Sequence, residues 1–451
     1  MELFECLERA DETKELVLKK NALEETPNLL DTFFPAGAEA FLICDENTYK
    51  AAGKRLNDIL TKAGKKIAGT HIFPGSPVLH ADYDHVRFLK KHVQGKNLVP
   101  FAVGAGTIND LVKCLSSELR LPYFCVPTAA SVDGYTPNGA ALLMDGFKKT
   151  IPCPAPLVLC TDTDIIAKAP AWLTSSGFGD LASKLTAGAD WIIADIAGKH
   201  GAPGAPAIDP VCWAMIQDGI KPALYASVEA SRGDAEAVNT LFQMLAITGF
   251  AMQYYKDSRP VSGSEHLFSH IWEMEDLCVN GRTVTHGHKV AIGTLATTAI
   301  TEIFFADPCG PPPPEKSYAR PSPDERKAEV SRAFAGSGDS RNLDRIIDTS
   351  LKKMMDQKTV NTMNEAFRDN WKEIRDRVLE KLLPYNELKA LLAKSDCPLQ
   401  GRDIGLDRKT VITTAIKAQM IRNRYGILDL AWDMGCLKKV LETIDLMDIY
   451  L

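Results

Sequence analysis

The chain has 451 residues, 45% hydrophobic and 24% charged, with a formal net charge of -6. Such a length exceeds what one core usually serves and predicts two domains of ordinary globular composition. The balance offers no basic footprint for nucleic acid, and no apolar run approaches the roughly 18 residues of a membrane span. The opening "MELFECLERADETKEL" lacks an apolar signal core, and eleven cysteines without a CxxC pair predict reduced thiols in a cytoplasmic protein.

In chain order, "EAFLICD" (39–45) reads as a buried strand ending in an acid, and "NTYKAAGKRLNDILTKAG" (47–64) as a helix closing on glycine. "KIAGTHIF" (66–73), "DYDHVRFLKKHVQG" (82–95) and "NLVPFAV" (97–103) continue the alternation, with further strands at "PYFCVPT" (122–128) and "PLVLCTD" (156–162). This pattern predicts βαβ units on a mainly parallel sheet. From about Ala169 helical periodicity takes over, as in "FGDLASKLTAGADWIIADI" (178–196) and "AVNTLFQMLAITGFAMQYY" (237–255). The expected architecture is an α/β N-terminal nucleotide-binding domain, Rossmann-like, over 1–168, followed by an all-α metal- and substrate-binding domain over 169–451. "DPCGPPPPEKSYARPSPDER" (307–326) reads as a proline-rich surface excursion between helices.

Within "LVPFAVGAGTINDLVKCL" (98–115) a strand runs into Gly104-Ala105-Gly106-Thr107 and then an amphipathic helix. Glycines let a ligand approach the backbone, and the free N–H groups of a helix start suit a phosphate. Thr107 with Asp110 three residues on reads as a capping-box variant. The dinucleotide fingerprint GxGxxG fails, because position 109 is asparagine, and the acid expected some twenty residues later is missing. A glycine-tightened turn without a ligand is the plain alternative.

"GFGDLASK" (177–184) places Asp180 at an expected helix start, with Lys184 one turn on. "SEHLFSH" (264–270) sets His266 and His270 four apart, and "HGHK" (286–289) follows. Taken singly, these are a cap, an exposed helix face and a solvated loop. Together, one carboxylate and two imidazoles make a three-ligand divalent site with open positions, as a catalytic metal requires.

These segments resemble the sn-glycerol-1-phosphate dehydrogenase family, within the dehydroquinate synthase and iron-containing alcohol dehydrogenase superfamily, and above all its bacterial AraM-like branch. The matching text is "DENTY" (45–49), "GAGTINDLVK" (104–113), "PTAASVDGYTPNGAALLMDGFKKT" (127–150), "TDTDIIAKAP" (161–170), "GFGDLASKLTAGADW" (177–191), "SRPVSGSEHLFSHIWE" (258–273), "THGHKVAIGT" (285–294) and "RNRYGILDLAWDMG" (422–435). The resemblance implies a dehydroquinate synthase-like fold with Asp180, His266 and His286 as metal ligands. His270 would stand just outside, lining the substrate or relaying a proton, while His288 occupies a variable position. Gly104, Ala105, Gly106 and Thr107, with Asp110, would cradle the nucleotide pyrophosphate, where the family commonly has GGGS. Asp45 would accept a ribose hydroxyl and favour NAD(H) over NADP(H). Thr128 and Ser131 would flank the nucleotide, and Asp133 would face nicotinamide and substrate.

The activity so implied is hydride transfer between a nicotinamide and C2 of dihydroxyacetone phosphate, with Zn²⁺ foremost and Ni²⁺ or Fe²⁺ as alternatives. Lys184 and Lys289 are the expected phosphate cations, with Arg259, Lys148 and Lys149 behind them, and a homodimer is expected. The competing readings are a glycerol or other polyol dehydrogenase on the same scaffold, a dehydroquinate synthase-type lyase, and a non-catalytic nucleotide-binding module.

Overall fold

The computed structural model describes residues 1–93, 95, 97–144, 147–315, 319–335 and 340–447, without the side chains of 147, 148 and 340–342. The chain divides into two compact units. One comprises Met1–Leu181 with Pro222–Asp257, the other Ala182–Lys221 with Ser258–Leu451.

The first unit is organised on a six-stranded sheet. Its strands are β1 (Glu15–Lys19), β2 (Glu39–Asp45), β3 (Ile67–Phe73), β4 (Leu98–Gly104), β5 (Phe124–Pro127) and, after a hairpin of β6 (Ala140–Met144) and β7 (Phe147–Ile151), β8 (Val158–Asp162). The order is β1-β8-β5-β4-β2-β3, and every pairing is parallel. The expected strands and the parallel sheet are therefore present. Their near-continuous apolar text follows from burial on both faces: all seven residues of β4 are buried. Leu42, Cys44, Val103, Val126 and Cys160 share one cluster with Phe101 and Phe124, whose rings stack at 4.6 Å. Each large apolar side chain so buried contributes about 1.5–3 kcal/mol.

Two elements depart from the reading above. β1 was not anticipated, because it is a short edge strand whose partner, β8, lies far along the chain, with Glu15 opposite Val158. The β6–β7 hairpin is antiparallel and stands apart from the main sheet. Residues 145 and 146, between its strands in the sequence, lie outside the described residues.

The second unit is helical apart from a two-stranded ribbon, Cys278–Val279 with Arg282–Thr283, among the described residues. The helix His286–Phe304 is buried along most of its length, which explains its nearly uniform apolar text. The proline-rich stretch does connect two helices, and Arg320 anchors it. The Arg320 guanidinium pairs with Asp433 at 2.6 Å and lies over the Trp432 ring, which Arg326 also covers. Residues 316–318 of that stretch lie outside the described residues. No helix among the described residues is long and apolar enough to cross a membrane.

Candidate metal and nucleotide site

The glycine turn is tighter than its text suggested. β4 ends at Gly104 and the helix already begins at Gly106, with Ala105 as an extended N-cap whose side chain bonds nothing. Thr107 is thus inside the first turn, and the capping-box reading with Asp110 is corrected. The geometric reason is Gly104, where a Cβ would come within 2.7 Å of the Ile108 side chain. The carbonyl of Ala105 accepts the Asn109 N–H at 3.1 Å. Without a side-chain cap, the leading N–H groups are oriented as an anion site requires.

The same helix ties down the loop that follows β5. Asn109 Nδ2 donates to the Gly134 carbonyl at 3.0 Å, and its Oδ1 accepts from the Tyr123 hydroxyl. The asparagine that breaks the fingerprint therefore has its own structural work. Lys113, fully buried, donates to the carbonyls of Gly134, Pro137 and Gly139 at 3.0, 2.8 and 3.0 Å. Burial lowers its ammonium below the usual lysine range. Thr128 reaches back to β4, its N–H donating to the Gly104 carbonyl. Ser131 Oγ lies 3.3 Å from the Tyr135 hydroxyl, and Thr128, Ser131 and Asp133 are all buried. At the end of β2, Asp45 Oδ1 accepts the N–H groups of Asn47 and Thr48, capping the following helix.

Asp180 lies well inside a helix, Ala171–Gly198, not at a helix start. The text "GFGD" reads as a helix start, yet Gly177 sits within the helix, where a Cβ would stand 2.0 Å from the Ala130 carbonyl oxygen. Asp180 is fully buried, and its Oδ2 accepts the Asp133 N–H at 2.9 Å.

His266 is buried on the helix Ser264–Met274, and its Nδ1 meets Glu265 Oε1 at 2.8 Å. His286 opens the helix His286–Phe304, so "HGHK" is a first helical turn, with Thr285 as its cap. His286 Nδ1 meets Glu273 Oε1 at 2.8 Å. The two rings stand 5.4 Å apart. Asp180, His266 and His286 each offer one ligand atom, and these atoms all lie within 4.8 Å of one another. Carboxylates accepting from Nδ1–H leave both Nε2 lone pairs for a cation, the arrangement that metal-binding histidines adopt. One carboxylate and two so oriented imidazoles fit a divalent transition ion.

Around them, His270 Nδ1 lies 3.3 Å from Glu273 Oε2, and burial pushes its imidazole well below the ordinary histidine value. Burial likewise lowers His288 to about 4. Lys184 is fully buried, and its charge favours the ionised form of Glu265, whose carboxyl burial otherwise raises. Lys289 is buried with Nζ 3.5 Å from Glu273 Oε1. Arg259 donates to the Asp190 carbonyl at 2.7 Å. Lys149 is exposed, and the side chain of Lys148 lies outside the described residues.

Glu265 and Glu273 were not singled out as site residues. Their signal was present: Glu265 directly precedes His266, and Glu273 lies seven residues beyond it, on the same helical face.

Residues 17–170 match the family described as iron-containing alcohol dehydrogenase. The chain also resembles solved structures at low identity. A glycerol dehydrogenase from Schizosaccharomyces pombe aligns over 96% of this chain and 90% of that one, with a TM-score of 0.57 and 15% identity. A sulfoacetaldehyde reductase from Bifidobacterium kashiwanohense, solved with NAD+, covers 96% and 97%, with a TM-score of 0.57 and 14% identity. The fold is thus of the iron-containing alcohol dehydrogenase type.

Sequence relatives narrow the class. A glycerol-1-phosphate dehydrogenase (NAD(P)+) from Bacillus velezensis is 34% identical over 334 residues, 73% of this chain and 80% of the relative. The Bacillus subtilis protein of the same name is 32% identical over 63% of this chain and 71% of its own length. One from Methanothrix thermoacetophila is 34% identical over 57% and 68%. The chain belongs to the glycerol-1-phosphate dehydrogenase family, an oxidoreductase family.

Proposed function

We propose that this protein interconverts dihydroxyacetone phosphate and sn-glycerol 1-phosphate, using NAD(H) or NADP(H) and one divalent metal held by Asp180, His266 and His286. The observation that carries the reading is the convergence of those three ligand atoms within 4.8 Å, in a chain 34% identical to a protein named for this activity. The donor set suits Zn²⁺ first, and Ni²⁺ or Fe²⁺ also fit. A bound metal would supply Lewis-acid polarisation of the substrate's C2 oxygen, and the nicotinamide would supply the hydride chemistry at C2.

The chain's own groups do the rest. The N–H groups that open the helix at Gly106 and Thr107 would bind the pyrophosphate, in the turn that Gly104 and Ala105 shape, with Asp110 on the same helix. Asp45 would take a ribose hydroxyl, Thr128 and Ser131 would flank the nucleotide, and Asp133 would face the reacting carbon. His270 would move a proton at Nε2, since its Nδ1 is engaged by Glu273. Lys184 and Lys289 would share their charge between buried carboxylates and the substrate phosphate. In this reading residues 1–168 bind nucleotide and 169–451 bind metal and substrate. The enzyme would act as a cytoplasmic homodimer, supplying a glycerol phosphate backbone for phospholipid biosynthesis.

The test is oxidation of the reduced nicotinamide with dihydroxyacetone phosphate and with dihydroxyacetone, followed by chiral analysis of the product. Strong preference for the phosphate and an sn-1 product are expected. Equal turnover of the two substrates would transfer the assignment to a glycerol dehydrogenase.

A further inference from the structure

We propose that Glu273 is a positioning residue whose single carboxylate holds both a metal ligand, His286, and the proton relay, His270; the inference rests on the metal-dependent reading above. Oε1 of Glu273 lies 2.8 Å from His286 Nδ1, and Oε2 lies 3.3 Å from His270 Nδ1. His270 is one turn before Glu273 on the helix Ser264–Met274, whereas His286 arrives from the next helix. A carboxylate is the side chain that fits this place, because it offers an acceptor to each ring. Each Nδ1–H so engaged fixes its ring as the tautomer with a free Nε2 lone pair, which His286 needs to bind a cation and His270 needs to accept a proton.

The surroundings hold that carboxylate in place. The Glu273 side chain is only 4% exposed, so its charge needs partners, and Lys289 Nζ approaches Oε1 at 3.5 Å with the Ser269 hydroxyl at the same distance. Glu265 is arranged differently, since its oxygens meet His266, the Gly263 N–H and the Thr186 hydroxyl, and it orients one imidazole only. Glu273 is the group through which a shift of His286 reaches His270. The two rings would be set by one hinge.

Glu273→Gln tests this, because the amide keeps the volume but has one acceptor, so one of the two Nδ1–H groups loses its partner. The Zn²⁺ affinity of metal-stripped enzyme, measured by competition with a chromophoric chelator, should fall roughly 10–100-fold. The visible bands of the Co²⁺-substituted enzyme should shift, and kcat should fall while KM for the nicotinamide stays within about twofold. Parental Zn²⁺ affinity with an unchanged Co²⁺ spectrum would overturn the inference. Glu273→Asp provides a second arm should the amide variant not fold: its carboxylate is drawn back by one methylene, and parental Zn²⁺ affinity there would equally overturn it. His286→Ala separates the two levels. If His286→Ala loses metal while the Glu273 variants keep it, the positioning role alone fails. If His286→Ala keeps its metal, the metal-ligand reading fails and this inference with it.

Discussion

The Asp133 backbone N–H donates to Oδ2 of Asp180 at 2.9 Å. The loop that carries Asp133 is also held by Asn109 and Lys113 from the helix whose first turn forms the glycine site. One hydrogen-bonded assembly therefore links the glycine-turn helix, the loop and the proposed metal ligand. Asp180→Ala should abolish bound metal and, by orphaning the Asp133 N–H, cost about 1–3 kcal/mol of stability. Asp180→Asn keeps an acceptor for that N–H, and should lose metal with much less destabilisation. Elemental analysis and urea unfolding of the two variants measure these effects, and full metal content in either would remove Asp180 from the ligand set.

Lys113 supplies three donors to three carbonyls in a buried setting. Lys113→Met fills the volume and leaves those carbonyls unsatisfied, so stability should drop by about 3 kcal/mol, read as a lower urea midpoint. The nicotinamide KM should rise with it, since the loop bearing Ser131 and Asp133 loses its anchor. An unchanged midpoint would mean that the loop is held elsewhere.

Gly177 lets the helix Ala171–Gly198 approach the loop: a Cβ there would stand 2.0 Å from the Ala130 carbonyl oxygen. The two nearest atoms belong to the Ala130 backbone, not to the end of a flexible side chain. Gly177→Ala should destabilise by about 1–3 kcal/mol through forced backbone movement, visible as a lower Tm. A rise in Tm, the usual result for glycine to alanine in an open helix, would contradict the close approach.

Asp45 combines a cap with the proposed ribose contact. Asp45→Ser keeps a capping oxygen and removes the charge, so stability should change by about 0.5 kcal/mol or less. The KM for NADH should rise more than that for NADPH, because the carboxylate that would take the ribose hydroxyl is gone. Steady-state kinetics with both cofactors decide it, and equal effects on the two would count against ribose recognition.

Asp433 is raised to about 6 by burial, against the opposing charge of Arg320. Its folded-state value lies above the unfolded one, so the folded protein binds the proton more tightly between about pH 4 and 6. That contribution to stability is present below this window and is lost as pH rises through it. Asp433→Asn should flatten this part of the profile, by up to about 3 kcal/mol relative to wild type. Denaturant unfolding from pH 4 to 7 measures it, and parallel profiles would show that Asp433 does not titrate in this range.

The fold class was largely legible in the sequence. Parallel strands buried on both faces leave unbroken apolar runs such as Leu98–Gly104, and these show through in a single chain. β1 escaped because an edge strand of five residues has one buried side chain to mark it, Leu16, and pairs with residues far along the chain. Helix limits were misplaced at Thr107 and before Asp180 for a related reason. Glycine reads as a breaker in isolation, whereas in the packed structure Gly177 is required inside the helix by the Ala130 carbonyl.

Residue types along the chain by themselves determined that a carboxylate and several imidazoles were on hand for a cation, and that a glycine turn opened a helix after a buried strand. Those features rest on local chemistry and short spacing. The family resemblance had already grouped Asp180 with His266 and His286, whereas only the tertiary structure decided what supports the site: Glu273 across two histidines, and Lys113 under the loop of Asp133. The physical reason is that a buried polar group must find partners wherever packing brings them, and such partners lie tens of residues away or on another helix. Sequence spacing carries no record of that distance.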